Sequence, residues 1–175
     1  PTGTGKTFVA FLAIAKANRP TLVVTPYIEL MNQWYGQLKD SFGQDIGIVG
    51  GGYHEFKPLT VTTYDSAANH VEKWGNQYGL VVFDEAHHLP GPTYSMSAIG
   101  SIAPFRLGLT ATPERADGGE AMFPDLVGPI VYRREITEFG SDHLAPYRSE
   151  VVPVDLTPDE RESYRKNREI YQTYR

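Results

Sequence analysis

Short unbroken apolar runs recur along this chain, separated by stretches with helical spacing. Residues 21–25, 46–49, 59–63, 79–84 and 105–110 are such runs. A strand with one wet face alternates apolar and polar positions, so a run without alternation reads as a strand buried on both faces. Between these runs, residues 8–17 read as a helix. Tyr27, Leu30, Met31, Trp34 and Leu38 fall on one face at helical spacing, and Ala67, Val71 and Trp74 mark the packed side of a further helix. The alternation predicts an α/β fold, a largely parallel sheet flanked by helices. Thr25-Pro26 is predicted to serve as helix cap and first helical position. The run at 46–49 ends in the glycines Gly50, Gly51 and Gly52.

Beyond Thr112 the pattern changes. Residues 113–125 are rich in Gly, Pro and charge and read as a loop with a short helix, with strands expected near 129–132 and 150–156. Thr157-Pro158-Asp159-Glu160 then combines a capping box with proline at the first helical position. The helix it opens carries charge on most faces, as helices that bridge to another element do. The expected organisation is one domain over 1–156 and a helix over 157–175 leading toward a second domain.

Composition narrows the classes. The chain has 175 residues, 41% hydrophobic, enough for one core. It has no cysteine, which excludes a disulfide framework, a thiolate metal site and a cysteine nucleophile. The five histidines show no metal-ligand spacing. No apolar run is long enough to span a bilayer, and the apolar stretch 8–15 is interrupted by Lys16, so an intracellular protein with no membrane partner is expected. A net charge of −5 argues against charge-driven wrapping of nucleic acid, but not against gripping a strand in a cleft.

Three runs carry chemistry. Pro1-Thr2-Gly3-Thr4-Gly5-Lys6-Thr7 has the glycines and lysine of a phosphate-binding loop. Backbone N–H groups of Gly3, Thr4 and Gly5 would converge on phosphate oxygens, Lys6 would reach the β- and γ-phosphates, and the Thr7 hydroxyl would ligate Mg²⁺. Asp84-Glu85-Ala86-His87 follows a buried run, so Asp84 stands at a strand's carboxyl end, where open α/β sheets place ligands. Asp84 suits the metal side, and Glu85 suits a base that orients attacking water. Leu109-Thr110-Ala111-Thr112-Pro113 is the third run.

In this order the three runs resemble the first motor domain of superfamily 2 helicases and translocases of DEAH-box type. Residues 84–90, 101–112 and 61–67 are similar to XPB-like helicases, particularly archaeal ones. The resemblance implies a RecA-like domain truncated at both ends, with the strand leading into the phosphate loop lying before Pro1. It also implies ATP and Mg²⁺ as cofactors, and DNA rather than RNA as partner. Under it, His87 reads the γ-phosphate state, and Thr110, Ala111 and Thr112 couple that state to the nucleic-acid cleft. Strand-backbone contacts fall on Thr25, Pro26, Gly50, Gly51, Thr62 and Thr63, residue types that suit phosphate oxygens without reading bases. A second RecA-like domain would complete the ATP site with arginines. One departure stands out: where XPB-like enzymes carry Arg-Glu-Asp, this chain has Arg115-Ala116-Asp117.

Two other readings stay open. The motor could be the translocating subunit of a restriction or defence complex with a nuclease partner. The chain could instead be a nucleotide-dependent scaffold without turnover, although a pure binder has no use for Glu85. A small-molecule kinase would leave the Thr110–Thr112 run without purpose.

Overall fold

Six strands answer the apolar runs: β1 (Thr21–Thr25), β2 (Gly47–Gly50), β3 (Tyr53–Glu55), β4 (Leu59–Thr63), β5 (Leu80–Asp84) and β6 (Phe105–Leu109). The computed structural model describes residues 5–43, 45–134 and 150–173, and the chain divides into two units, Pro1–Arg133 and Arg134–Arg175. In the first unit the strands form one sheet in the order β3-β2-β4-β1-β5-β6. Neighbours run parallel except β2 and β3. Strands β1, β4 and β5 are buried at every position, which is why their sequences show no alternation.

The helices of this unit are α1 (Lys6–Ala17), α2 (Ile28–Phe42), α3 (Tyr64–Asn69), α4 (Val71–Trp74), α5 (Met96–Ile99) and α6 (Phe123–Leu126). Leu22, Val24, Val81 and Phe83 point to one face and pack with Tyr64, Ala67, Trp74 and Ala98. Val23, Val61 and Val82 point to the other and pack with Ala10, Ile14, Met31, Trp34 and Leu38. Each Val, Leu, Ile, Phe or Met among them contributes about 1.5–3 kcal/mol on burial, so both helical layers are held by the sheet they cover. Because the strands run parallel, Thr25, Gly50, Thr63, Asp84 and Leu109 all end at one edge of the sheet.

Several expectations need correction. Helix α2 begins at Ile28 with Tyr27 as its cap residue, so Thr25 and Pro26 are neither cap nor first helical position. Thr25 is instead the last rung of β1, paired with Thr63, and its hydroxyl donates to the Thr62 carbonyl at 3.1 Å. The helix expected through Ala67, Val71 and Trp74 breaks at His70 into α3 and α4. Strand β3 gave no apolar signal, since all three of its residues are exposed. The chain reverses into it through Gly50, Gly51 and Gly52, with φ of 128°, 58° and 92°, a run of positive values that other residues rarely adopt. Residues 129–132 and 150–156 form no strand; Val131 is 87% and Val151 90% exposed, with no partner strand among the described residues. Strand β6 has β5 on one side and, among the described residues, no strand on the other.

In the second unit the capping box forms as predicted. The Thr157 N–H donates to Glu160 Oε2 at 2.9 Å, and the Glu160 N–H to Thr157 Oγ1 at 3.4 Å. It opens α7 (Pro158–Thr173), which buries no residue. No helix among the described residues is long and apolar enough to cross a membrane.

Candidate active site

Helix α1 starts immediately after Gly5, whose φ of 80° favours a glycine, and among the described residues no side chain caps its first N–H groups. That leaves an open helix N-terminus with Lys6 and Thr7 in its first turn, the arrangement that favours an anion. Gly3 and Thr4 lie outside the described residues. Lys6 reaches across to the end of β5, where its Nζ stands 3.8 Å from Glu85 Oε1. The loop lysine and the acidic pair, far apart in sequence, therefore meet.

Asp84 is 6% exposed and held from several sides. The Trp34 indole N–H donates to its Oδ2 at 2.7 Å, and the Glu85 backbone N–H to its Oδ1 at 3.0 Å. The Tyr64 hydroxyl donates to the Asp84 carbonyl at 3.1 Å. Burial pushes the Asp84 carboxyl up from its ordinary value; the bonds from Trp34 and Glu85 N–H oppose this, the Glu85 charge adds to it, and Lys6 opposes it. A buried carboxylate with both oxygens oriented is suited to a hard divalent cation, and Thr7 supplies a hydroxyl oxygen at the facing helix end. The residues present fit Mg²⁺.

Glu85 is one of two non-glycine residues with positive φ among those described, at φ 46° and ψ 54°. Such a backbone costs about 1–3 kcal/mol and persists where the surroundings dictate it. Here it turns the chain sharply at the strand end and aims the carboxylate back toward Lys6. A short helical turn, Ala86–His88, follows. It places His87 Nδ1 3.0 Å from Thr110 Oγ1 and 3.3 Å from Glu85 Oε2. Thr110 Oγ1 also accepts the Thr112 N–H at 3.2 Å. Ala111 and Thr112 themselves are exposed. Lys6, Glu85, His87, Thr110 and Thr112 thus form one continuous polar chain from the phosphate loop to the third run.

The Arg115-Ala116-Asp117 departure finds a role here. The Arg115 guanidinium grips Asp117 with two bonds, Nε to Oδ1 at 2.8 Å and Nη2 to Oδ2 at 2.6 Å, and its Nη1 donates to the His87 carbonyl. Asp117 in turn is held well below its ordinary value, chiefly by Arg115 and then by the Gly119 N–H. A Cβ on Gly119 would stand 2.7 Å from Arg115 Nε, so a glycine is what lets the clasp close. Ala116 is exposed and takes no part.

The residues expected to meet a nucleic-acid strand divide. Thr25, Thr62 and Thr63 are buried at 0%, 2% and 6% exposure. Their hydroxyls are engaged inside the sheet edge: Thr25 donates to the Thr62 carbonyl, Thr62 donates to the Val49 carbonyl at 2.8 Å, and Thr63 caps α3 by accepting the Ser66 N–H at 3.3 Å. As side chains that contact a strand, these three threonines are corrected; they shape the surface from beneath. Pro26, Gly50 and Gly51 remain accessible on it. Sequence reasoning missed Trp34, placed on the core stripe, as well as Tyr64; nothing local marks either as a partner of Asp84. Two cavities, of about 260 and 390 Å³, sit around Pro20 and Pro58, which precede β1 and β4, at the far end of the strands from Asp84.

Residues 1–115 match the family described as type III restriction enzyme, res subunit. The chain is 45% identical over 164 residues to the "DNA 3'-5' translocase XPB2" of Sulfurisphaera tokodaii, covering 94% of this chain and 37% of that protein. It is 34% identical over 176 residues to the "DNA 3'-5' helicase XPB" of Mycobacterium tuberculosis, covering 94% of this chain and 32% of that one. The chain therefore spans about a third of the length of these relatives. Among solved structures, the UvsW helicase of bacteriophage T4 superposes with a TM-score of 0.63 at 20% identity, over 73% of this chain and 50% of that one, a likeness of fold. The matched residues show the family and the sheet topology the fold: this chain belongs to the type III restriction enzyme res subunit family, and its fold is the RecA-like α/β fold it shares with the UvsW helicase.

Proposed function

We propose that the chain is the first motor domain of an ATP-dependent DNA helicase or translocase, working inside the cell. The observation that carries this reading is the polar chain from Lys6 through Glu85 and His87 to Thr110 and Thr112. Such a set would supply a phosphate contact, a base, a sensor and an exit toward the exposed edge. Lys6 and the first turn of α1 would hold the β- and γ-phosphates, and Thr7 and Asp84 would hold Mg²⁺, which neutralises phosphate charge. Glu85 would accept the proton of attacking water. His87, hydrogen-bonded to Thr110 and 3.3 Å from Glu85 Oε2, would report the state of that site to Thr110, Ala111 and Thr112. The DEAH-type assignment rests on the letters of residues 84–87, and the choice of DNA on the printed names of the relatives.

The remaining parts follow from this reading. Residues 1–156 would make up the first motor domain. Residues 157–175, which contain the exposed helix α7, would lead toward a second RecA-like domain whose arginines complete the ATP site. The family's description favours a second reading, a translocating subunit paired with a nuclease. The first test is Glu85→Gln in the full-length protein: ATP binding retained, hydrolysis lost. Equal loss of both would mean the carboxylate serves binding rather than water activation. A nuclease activity copurifying with the motor would select the second reading.

A further inference from the structure

One face of α2 joins two parts of the molecule that have no direct contact. Ile28, Met31 and Trp34 follow one another at intervals of three on that face. At its outer end, a Cβ on Gly51 would stand 3.3 Å from Ile28 Cγ2, and one on Gly50 would stand 3.2 Å from Met31 Sδ. The first turns of α2 are thus packed onto the glycine turn. One turn further in, Trp34 is 1% exposed and donates its indole N–H to Asp84 Oδ2 at 2.7 Å. The indole is also wedged edge-on against Phe11 of α1, with ring centroids 5.7 Å apart. At a rise of 1.5 Å per residue the path from Ile28 to Trp34 is about 9 Å of rigid helix.

We propose that Trp34 is a positioning residue that couples the Gly50–Gly51 turn to the Asp84 carboxylate. A strand pressed on the turn bears on Ile28 and Met31, and α2 transmits the displacement to the indole donor. The donor fixes how Asp84 presents its oxygens to the cation. This rests on the proposed reading that Asp84 lies on the metal side, and on the expectation from the sequence that Gly50 and Gly51 meet the DNA backbone. Packed interiors respond to such pushes by discrete shifts rather than by yielding, which makes a buried helix face a good transmitter.

The test uses the full-length protein and its tryptophans. Trp74, whose indole donates to the Ala67 carbonyl at 2.9 Å, is the internal reference. In the wild type, magnesium with a non-hydrolysable ATP analogue shifts the Trp34 indole ¹⁵N–¹H resonance, and a DNA oligonucleotide shifts it again, while that of Trp74 stays put. Trp34→Phe keeps an aromatic ring against Phe11 and deletes the donor together with the smaller ring that carries it. It raises the Mg²⁺ concentration for half-maximal hydrolysis by about tenfold or more, as loss of a partner behind a metal ligand does. DNA stimulation of hydrolysis falls by about as much, with DNA affinity within about twofold of wild type. A wild-type Mg²⁺ requirement and DNA response in Trp34→Phe overturn the coupling, as does an indole resonance indifferent to DNA. Failure of the wild type to bind the analogue would overturn the nucleotide reading itself, and the coupling with it.

Discussion

The two sides of the active edge are built by different physics. On the inner side Asp84 is held by buried donors, Trp34 and Tyr64, delivered by helices that pack on opposite faces of the sheet. On the outer side His87 is held by the Arg115–Asp117 clasp, whose carboxylate is 60% exposed. The inner side is therefore fixed by packing, and moving it means disturbing the core. The outer side is fixed by a charged bridge over a loop, stiff enough to place a histidine yet free to shift when its neighbours change. The inner side therefore shifts only when a whole packed helix shifts with it, whereas the outer side can move by itself.

Breaking the inner side should have the largest effect on stability. Trp34→Ala removes a fully buried indole and leaves Asp84 without its donor. The expected loss is about 3–5 kcal/mol, read as a lower midpoint in urea or thermal unfolding. A loss under 1 kcal/mol would mean that α2 is not anchored through this residue. On the outer side, Arg115→Ala should change stability by less than about 1 kcal/mol, because the pair it breaks is largely solvated. Hydrolysis should nonetheless fall by about tenfold to a hundredfold as His87 loses its fixed position. Arg115→Lys should not rescue it, since an ammonium cannot make the two-point grip on Asp117 and still reach the His87 carbonyl. Full rescue by lysine would reduce the clasp to simple charge.

The smallest effect belongs to the sheet margin, where the His54 and His70 rings sit 5.0 Å apart. Burial first, then Lys73 and His54, hold His70 below its ordinary value of 6.5. A folded state with the lower pKa binds fewer protons than the unfolded chain. His70's contribution is therefore fully present above the ordinary value and declines as pH drops through it. Protection of the amides at β3 and the His70 turn, corrected for the intrinsic pH dependence of exchange, should fall slightly between pH 7 and pH 5, and should not in His70→Gln.

Legibility in the sequence follows the same division. The unbroken runs at 21–25, 59–63 and 79–84 announced the central strands because burial on both faces leaves that trace, and Asp84 was legible as the residue where one such run stops. Lys6, Glu85, His87 and the Thr110–Thr112 run were legible as motifs. Trp34 was not, because its bond to Asp84 spans 50 positions and a tryptophan on an apolar helix face needs no polar partner to explain it. Thr25 and Thr62 were assigned outward because hydroxyls suit phosphate, yet a fully buried strand end leaves them only carbonyls to bond. Arg115 and Asp117 were visible as letters, but their grip on His87 depends on a loop closure that Gly119 permits and no periodicity records.

The account stands on Lys6 and Glu85 sharing one phosphate site, and titration of ATP into Lys6→Ala full-length protein tests that most directly. Wild type should bind and hydrolyse Mg²⁺-ATP, with Lys6→Ala losing hydrolysis to background and binding weakened by about tenfold or more. Undiminished turnover in purified Lys6→Ala, with contaminating activity excluded, would contradict the site described here.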